Sequence, residues 1–429
     1  MTIQAVIKSG CRQVIKRCYI KRYNGGLFES SWYNITQYVV SWGSPSEGFG
    51  DESYLGQFNI PSWYMVFSNR TRKFQPESER DSLFYGYTSR DKTRFKISIS
   101  YVDNSYTSGI SNEYNEIASR SFYGVVLGDM QNDDSGLITV PLTSLLTIFR
   151  WFPFEGDAGT SDLTSNVIDR SVKRTESGIR IFDQYFEGAT DEDKYQITAG
   201  TITLNPYLTD KTQKIIDKIW MYGIAEDYFA WITTDGNFAW KTRDCTALTQ
   251  WIFNGGGSVD NDYGCNIISV VADRQGKNSL FNRIVIAYAK DIDGVLEYKS
   301  ADTSWTPGDN SVVDKYGLLA LDLTIMDLNG TTGQSTATAI LSRYNILKRE
   351  VEIITPLITH LVPADKVEIN YLGELTSQNS FTLGVSLLGG SDVLGNRLGS
   401  IFIDGLIGKI IHAEHNLDEC ISKFIIREV

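Results

Sequence analysis

The sequence has 429 residues, with 40 Lys and Arg residues against 52 Asp and Glu residues, which gives a formal net charge of −12. Hydrophobic residues make up 42% and charged residues 21%, so the composition is that of a folded chain, and disorder is excluded as its main state. The acidic balance disfavours broad electrostatic binding to nucleic acid or to an anionic membrane surface. At roughly 100 to 200 residues per domain, the length predicts about two to four domains.

Targeting and redox signals are sparse in this sequence. No apolar run reaches the roughly 18 residues that a membrane-spanning helix requires, so we expect no stable membrane span. The basic residues near the N-terminus are not followed by the apolar core of a signal peptide. Five cysteines lie scattered along the chain without a paired Cys-x-x-Cys spacing, which favours a reducing compartment over a disulfide framework.

The predicted elements are mostly strands, because 23 Tyr, 20 Phe and 9 Trp accompany many Thr, Ile and Val residues. Residues 96–102 give the clearest alternation in the first third of the chain. Ile97, Ile99 and Tyr101 fall on one face of this segment, and two serines fall on the other. This pattern predicts a half-buried antiparallel strand.

The central part of the chain predicts a helix followed by a hairpin. The helix covers residues 210–222, is capped at its first residue or at the one before it, and is ended by Gly223. The hairpin covers residues 228–240. Its turn is placed at Asp235 and Gly236, because an Asp-Gly pair tolerates the positive φ angles of a type I′ turn.

The last third of the chain predicts one further helix and two strands. The helix covers residues 336–348, is capped by Ser335, and has one apolar face with basic residues near its C-terminal end. Residues 351–354 and 367–371 alternate as strands do. Residues 363–365 supply the predicted turn between these two strands.

Polar, turn-rich stretches at residues 156–165 and 254–278 suggest where the chain divides. The predicted domains are therefore a β-rich segment at 1–155, an α/β segment at 156–280, and a second β-rich segment at 281–429. No short-period repeat of the solenoid or propeller kind is visible.

Histidine chemistry is poorly supported. His360, His412 and His415 are the only histidines, and none accompanies the Gly-x-Ser-x-Gly elbow of a serine hydrolase. The spacing of His412 and His415, with Cys420 nearby, leaves a metal site open as an alternative. A solvated polar turn between two strands is the simpler interpretation of this segment.

Two further motifs have a simpler structural explanation. Residues 260–264 hold closely spaced oxygen ligands but lack the distal Glu of a calcium loop, so a plain turn is favoured over calcium binding. Residues 255–258 are glycine-rich but lack the Lys and Ser/Thr of a phosphate loop, so a flexible connection is favoured over phosphate binding. The sequence therefore predicts no catalytic residue, no cofactor-binding residue and no metal ligand.

The order of these elements resembles that of phage tail hub proteins, a family found at the tip of tail tubes and in baseplate hubs. The similarity runs in order along nearly the whole chain, with departures at residues 63–65 and 365–366. The matching stretches are residues 35–39, 56–60, 67–76, 84–86, 95–102, 122–126, 210–240, 282–286, 314–317, the helix after residue 334, 355–356 and 363–367.

This resemblance implies a mainly β fold with an α/β insertion. Two tube-like antiparallel β-barrel domains would occupy residues 1–155 and 281–429, and the smaller α/β domain would occupy residues 156–280. Residues 96–101 and 367–371 would lie on sheets of the two related barrels.

The resemblance also implies a structural role in the virion, without enzymatic activity or cofactors. A homotrimer would form a pseudo-sixfold ring at the distal end of the tail, adapting the sixfold tube to the threefold tip around the channel for DNA or the tape-measure protein. Its partners would be the tail tube or distal tail protein, the tape-measure protein and tip, fibre or spike proteins. DNA would pass only transiently, and the protein would be made in the host cytoplasm.

Two other classes of function remain open from the sequence. A hexameric distal tail protein would have one tube-like domain and a peripheral carbohydrate-binding sandwich, so the fold of residues 281–429 would distinguish it. A surface lectin or glycosidase would use the abundant Tyr and Trp residues to stack on sugar rings.

Overall fold

The structure is a computed structural model of the chain. It describes residues 12–48, 60–103, 116–154, 162–176, 178–204, 213–242, 248–256, 266–275, 280–289, 296–304, 312–325, 328, 330–346, 348–372 and 402–429.

Strands dominate the described residues, and we number them in chain order. In the first half they are β1 (Arg12–Asn24), β2 (Leu27–Phe28), β3 (Tyr33–Asn34), β4 (Val39–Ser41), β5 (Ser46–Gly48), β6 (Ser62–Ser68), β7 (Ser89–Asp103), β8 (Glu116–Val126), β9 (Gln131–Asn132), β10 (Leu137–Ser144), β11 (Asp162–Leu163), β12 (Thr175–Glu176), β13 (Ile179–Arg180), β14 (Tyr195–Ile197) and β15 (Thr203–Leu204). In the second half they are β16 (Tyr228–Ile232), β17 (Phe238–Thr242), β18 (Trp251–Gly256), β19 (Ser269–Gln275), β20 (Arg283–Ala289), β21 (Leu296–Asp302), β22 (Ala320–Thr324), β23 (Arg349–Pro356), β24 (Lys366–Leu372), β25 (Phe402–Asn416) and β26 (Ile421–Glu428).

The helices are fewer, and most of them lie between the two groups of long strands. They are α1 (Ile148–Trp151), α2 (Thr164–Val172), α3 (Asp191–Lys194), α4 (Ile215–Glu226), α5 (Val312–Tyr316) and α6 (Gly330–Tyr344), with 3₁₀ turns at Thr36–Tyr38, Leu145–Thr147 and Asp183–Tyr185. In the part of the chain that the structure describes, none of these helices is long and apolar enough to cross a membrane.

The first sheet is built from the N-terminal part of the chain. Its strands run in the order β2-β1-β7-β8-β10-β6-β4, with β3 on β1 and β9 on β10, and all neighbours are antiparallel. Ile97 and Ile99 on β7 are buried, as the alternation of this segment predicts. Their side chains pack against Phe67 and Phe95 in the core beneath the sheet.

The second sheet has the strand order β18-β24-β25-β26-β23-β19, with β5 added beside β25. Its pairs are antiparallel except for β18 and β24, which run parallel with Trp251 opposite Val367. Both sheets are curled half-barrels, which confirms the predicted mainly β fold. The parallel pair is a departure from the predicted antiparallel arrangement, and it arises because β18 joins this sheet from a distant part of the chain.

Strand pairing does not follow the predicted limits at residues 155 and 280. Strands β18 and β19 lie before residue 280 but belong to the second sheet, and β5 joins that sheet from the N-terminal part. Strands β20, β21 and β22 lie after residue 280 but form a separate three-stranded sheet, on which α6 packs. The second curled sheet is therefore present, and its described strands are β5, β18, β19 and β23 to β26.

The glycine-rich start of the predicted linker is a tightly packed strand. A Cβ atom on Gly255 of β18 would lie 2.6 Å from the Tyr371 ring and 2.7 Å from Cβ of Ile267. Glycine is needed there for close packing between neighbouring segments, and the sequence alone suggested a flexible connection.

The central unit comprises the described residues between 145 and 242 and between 280 and 346. Many of their apolar side chains share one hydrophobic core, to which Ile60, Tyr123 and Val125 also contribute. Its helix α4 runs from Ile215 to Glu226 and ends at Asp227 with a φ of 62°. The predicted end at Gly223 is therefore wrong, and the predicted cap at residues 209–210 lies outside the described residues. Gly223 lies inside the helix, and the position requires glycine because a Cβ there would lie 2.9 Å from the carbonyl oxygen of Tyr228.

The predicted hairpin is confirmed as β16 and β17, but its turn is not of type I′. Five residues connect Ile232 to Phe238, and the Thr233 amide donates a hydrogen bond of 2.8 Å to the Asn237 carbonyl. Gly236 has a φ of +81°, whereas Asp235 is not among the described residues with positive φ. A type I′ turn requires positive φ at both central residues.

Two other boundaries also differ from the sequence prediction. Helix α6 covers Gly330–Tyr344 instead of residues 336–348, although Ile340 and Tyr344 are buried as predicted. Strands β23 and β24 do not pair with each other, because β25 and β26 lie between them. The turn at residues 363–365 therefore ends a connection that crosses the sheet from β23 to β24, and it does not close a hairpin.

Candidate functional site: the joints between the two sheets and the central unit

The connection from β4 to β5 carries the chain from the first sheet to the second. Gly43 in this connection has a φ of +70°, and a Cβ there would lie 2.0 Å from the Tyr64 carbonyl oxygen. Two backbone hydrogen bonds hold the connection, from the Leu417 amide to the Gly43 carbonyl (3.1 Å) and from the His415 amide to the Pro45 carbonyl (2.9 Å). The path requires glycine at this position, since other residues meet both backbone strain and a clash.

Asp418 closes the same joint from the side of the second sheet. Its carboxylate accepts hydrogen bonds from the Ser41 hydroxyl (2.6 Å) and from the backbone amides of Trp42 (2.9 Å) and Gly43 (3.2 Å). Burial acts to raise the pKa of Asp418, but these hydrogen bonds and the charge of Lys16 outweigh it and lower the pKa. The ionised carboxylate therefore holds the end of the first sheet against the second.

Arg120 is the most deeply buried charge at the joint. Its side chain, 1% exposed on β8, forms an ion pair with Glu47 on β5, which belongs to the second sheet. Burial lowers the pKa of Arg120 to about 10, against the opposing effect of the Asp365 charge. Its Nε and Nη1 atoms have no hydrogen-bond partner. A buried guanidinium depends strongly on its carboxylate, so this pair ties the two sheets together.

Hydroxyl groups of the first sheet contact the segment that follows β23. The Tyr101 hydroxyl donates a hydrogen bond of 3.0 Å to the Leu357 carbonyl and accepts one of 3.3 Å from the Thr359 amide. The Ser119 and Thr359 hydroxyls are 2.7 Å apart. Tyr101 is fully buried and packs with the core of the second sheet, although it was predicted only as a member of an alternating strand.

His415 is buried beside this joint. Its Nδ1 lies 2.9 Å from the Ser422 hydroxyl, and its ring contacts Phe122 of the first sheet and Phe424 of the second, with centroid distances of 5.4 and 5.9 Å. Burial, followed by the charge of Arg120, lowers the pKa of His415 well below its usual value. The imidazole is therefore neutral near pH 7.

The central unit is tied to the first sheet through Glu187. This carboxylate accepts hydrogen bonds from Lys21 (2.8 Å), Arg94 (2.6 Å) and the Trp32 indole (3.3 Å). Arg94 also donates to the Gln184 carbonyl at 2.9 Å. Burial acts to raise the pKa of Glu187, but the charges of Arg94 and Lys21 lower it overall.

The hairpin turn of the central unit completes this contact. The side-chain oxygen of Asn237 accepts hydrogen bonds from the backbone amides of Glu187 (3.1 Å) and Gly188 (2.7 Å). A Cβ on Gly236 would lie 2.8 Å from the Tyr123 ring and 3.0 Å from Cγ of Glu187. Gly236, which was predicted as a turn residue, therefore also packs closely against β8.

The same hairpin reaches the second sheet with its other face. Phe229 and Trp231 stack with a centroid distance of 4.2 Å, and they pack with Ile411 and Ile425. The alternate residues of β16 enter the core of the central unit. Strand β16 is therefore buried on both faces, which explains its continuous apolar sequence.

Arg343 links the two halves of the central unit. It lies on α6 and donates hydrogen bonds to the carbonyls of Ile224 (2.8 Å) and Ala225 (2.9 Å) in the last turn of α4. A cation at the C-terminal end of a helix satisfies free carbonyls and complements the helix dipole.

The histidines and the cysteine considered from the sequence lie on β25, in the turn before β26 and in the connection from β23 to β24. His412 and His415 both lie on β25, Cys420 lies in the turn before β26, and His360 packs against Trp251 with a centroid distance of 5.2 Å. Among the described residues, no group of three or more His, Cys, Asp or Glu residues could hold a metal ion. The possible calcium loop at residues 260–264 lies outside the described part of the chain.

Sequence reasoning missed the charged residues that tie these units together. Arg120 occupies the same phase of β8 as Phe122, so a charge appears where the strand alternation calls for an apolar residue. This break in the alternation is the feature of the sequence from which Arg120 could have been identified. Its partner Glu47 could not be found in this way, because the pairing depends on a connection between two sheets.

Comparisons with known proteins find a similarity of fold and no match in sequence. No family model matches the chain, and no curated protein matches it in sequence. The tail protein from Neisseria meningitidis has a similar structure, with a TM-score of 0.50, 7% sequence identity, and 96% of each chain covered.

Two prophage tail proteins also align over most of their length. The protein from Listeria monocytogenes has 8% identity and a TM-score of 0.46, with 96% of this chain and 94% of that chain covered. The 43 kDa protein from Shewanella oneidensis prophage MuSo2 has 8% identity and a TM-score of 0.46, with 96% of each chain covered. The resemblance predicted from the sequence is confirmed at the level of the fold, which this chain shares with the tail protein from Neisseria meningitidis.

Proposed function

We propose that the chain is a structural component of the virion tail, a hub that forms a trimeric ring at the distal end of the tail tube. The observation that carries this proposal is the presence of two curled half-barrel sheets in one chain, joined by buried polar contacts. Three chains then supply six sheets around a central axis. Such a ring matches a sixfold tube on one side and a threefold tip on the other.

Open sheet edges support assembly into a ring. Among the described strands, the first sheet ends at β4 and the second at β18 and β19. Val40 on β4 and Val271 on β19 are 54% and 52% exposed. Exposed edges with apolar side chains favour pairing with another chain, and a closed ring satisfies such edges without open-ended aggregation.

The joints give the chain the stiffness that a ring requires. The subunit angle in a closed ring is fixed by how the two sheets of each chain are held relative to each other. Here the Arg120–Glu47 pair, the Tyr101 hydroxyl and the Asp418 carboxylate hold the two sheets, and the hairpin β16–β17 contacts both of them. Polar pairs buried in such a joint penalise other arrangements of the sheets.

The partners follow from this position in the tail. The ring would contact the tail tube or distal tail protein above it and the tip, fibre or spike proteins below it, and it would surround the tape-measure protein. DNA would pass through only transiently, and a chain of net charge −12 is suited to a channel to which DNA does not adhere. The role is structural and not enzymatic.

Native mass spectrometry with edge variants tests the proposal. We expect the wild type to form a particle of three chains of 48.2 kDa each. Val40→Asp and Val271→Asp should shift it toward monomer, because each places a charge on an exposed sheet edge. Tyr298→Asp is the matched control, since Tyr298 is 66% exposed but lies on the separate three-stranded sheet.

The alternatives give different results in the same experiment. Six chains per particle would favour the hexameric distal tail protein. A monomer that binds glycans on an array would favour a carbohydrate-binding tail or baseplate protein.

A further inference from the structure

Three cations surround Trp32 on the face of the first sheet that contacts the central unit. Lys21 Nζ, Arg94 Cζ and Lys96 Nζ lie 4.9, 5.2 and 5.8 Å from the centre of its ring. Lys21 is directly opposite Arg94 in the pairing of β1 with β7, and Tyr19 is opposite Lys96. Cross-strand neighbours point to the same face of a sheet, so the strand register itself brings these side chains together.

The positive charge of this cluster is only partly neutralised. Glu187 binds Lys21 and Arg94, while Lys96 has no ion pair or hydrogen bond among the described residues. Asp235 is the other carboxylate that acts on Lys96, and it lies in an exposed turn where water screens its charge. Three cations therefore face two carboxylates in a chain whose net charge is −12.

Lys96 sits among aromatic rings and is half-buried. Its Nζ lies 5.6 Å from the ring centre of Tyr123, 5.8 Å from that of Trp32 and 5.9 Å from that of Tyr19. Burial lowers its pKa, and the charge of Lys21 lowers it further. These distances are close to the limit of a cation–π interaction, so the rings only weakly offset the desolvation of the ammonium. The rings also supply no hydrogen-bond acceptor for it.

We propose that Lys96, with Lys21, Arg94 and the rings around them, forms a binding site for an oxyanion, a carboxylate or a phosphate. Lys96 Nζ makes the direct contact, because among the described residues it forms no ion pair, unlike Lys21 and Arg94. Lys21 and Arg94 are held by Glu187 and contribute their positive field. The surrounding rings restrict water, which strengthens the attraction between the ligand and the ammonium.

Amine labelling read by mass spectrometry tests this site in the intact protein. The extent of acetylation of Lys96 is measured with increasing inorganic phosphate, at constant ionic strength maintained with chloride. At a phosphate concentration ten times the dissociation constant, we expect Lys96 to react about tenfold more slowly. Lys92 on the same strand is the control, because its Nζ lies over Tyr23 and outside the cluster.

Two variants relate the effect to the charge. Phosphate should raise the melting temperature of the wild type and of Lys96→Arg above that in chloride. The increase for Lys96→Met should be clearly smaller and limited to the general stabilisation that phosphate gives folded proteins, although Met retains an apolar stem among the rings.

The same experiment separates a free ligand from a carboxylate of a second copy. If phosphate has no effect but sedimentation shows salt-sensitive self-association that Lys96→Met abolishes and Lys96→Arg retains, the oxyanion is a carboxylate of another chain. If phosphate protects Lys92 as much as Lys96, or if neither protection nor Lys96-dependent association is found, the proposal is refuted.

Discussion

Removing the carboxylate of Glu47 should destabilise the protein far more than a surface change of the same chemistry. Glu47→Gln removes the ion-pair partner of the fully buried Arg120 guanidinium, two of whose nitrogen atoms already lack hydrogen-bond partners. Breaking a buried pair on one side costs about 3 to 5 kcal/mol, because the remaining charge stays desolvated. We therefore expect the free energy of unfolding to fall by about this amount.

The control is Glu116→Gln, which removes the partner of Arg17 from a pair with side chains 35% and 31% exposed. Water solvates the remaining charge there, so the loss should be about 1 kcal/mol or less. Replacing both buried partners, in Arg120→Met with Glu47→Leu, should restore most of the stability that Glu47→Gln loses, because no charge then remains buried.

Urea unfolding followed by tryptophan fluorescence measures these differences through the midpoint and the slope. The reasoning requires Glu47→Gln to lower the midpoint well below that of Glu116→Gln. Equal midpoints for the two variants, or a double variant as unstable as Glu47→Gln, would refute the conclusion that a buried ion pair ties the sheets together.

Three further predictions concern single positions. Burial lowers the pKa of His415, so the stability that depends on its neutral form is fully present above about pH 6.5. Below that pH the free energy of unfolding should fall by about 1.4 kcal/mol per pH unit. Urea midpoints measured between pH 7 and 5 should show this slope in the wild type and not in His415→Asn. Gly43→Ala should abolish stable folding or lower the free energy of unfolding by at least about 3 kcal/mol, because backbone strain is added to a clash with the Tyr64 carbonyl. The control Gly25→Ala has a φ of +58° and open space around the new Cβ, so circular dichroism melts should show a loss of only about 1 to 2 kcal/mol. Arg343→Met should cost about 1.5 to 3 kcal/mol and increase amide exchange in the last turn of α4, and unchanged exchange there would contradict the capping role.

Alternation and turn residues predicted the local elements of this protein well. The strand around Ile97, the hairpin after α4 and the apolar face of α6 were all visible, because each depends on residues close in sequence. The mainly β fold also followed from composition and element order. The predicted boundaries were less accurate. Gly223 was predicted to end α4 because glycine often follows the last helical residue, but it lies inside the helix as a packing position.

Long-range pairing could not be obtained in the same way. Strand β5 joins β25 across more than 350 residues, and β18 pairs in parallel with β24, so neither contact leaves a local pattern. The predicted division of the chain at residue 280 depended on reading residues 254–278 as a polar, turn-rich boundary. The end of strand β18 was included there because its glycines resemble those of a linker. The buried pair of Arg120 and Glu47 depends on the same long-range pairing, and the site therefore became visible only in the structure.

Electron microscopy of the purified assembly, reconstructed without imposed symmetry, tests the central proposal most directly. The proposal predicts a ring of three chains in which six curled sheets are arranged with approximate sixfold symmetry around a channel. A ring of six chains, or three chains whose two sheets do not alternate around the axis, would contradict it.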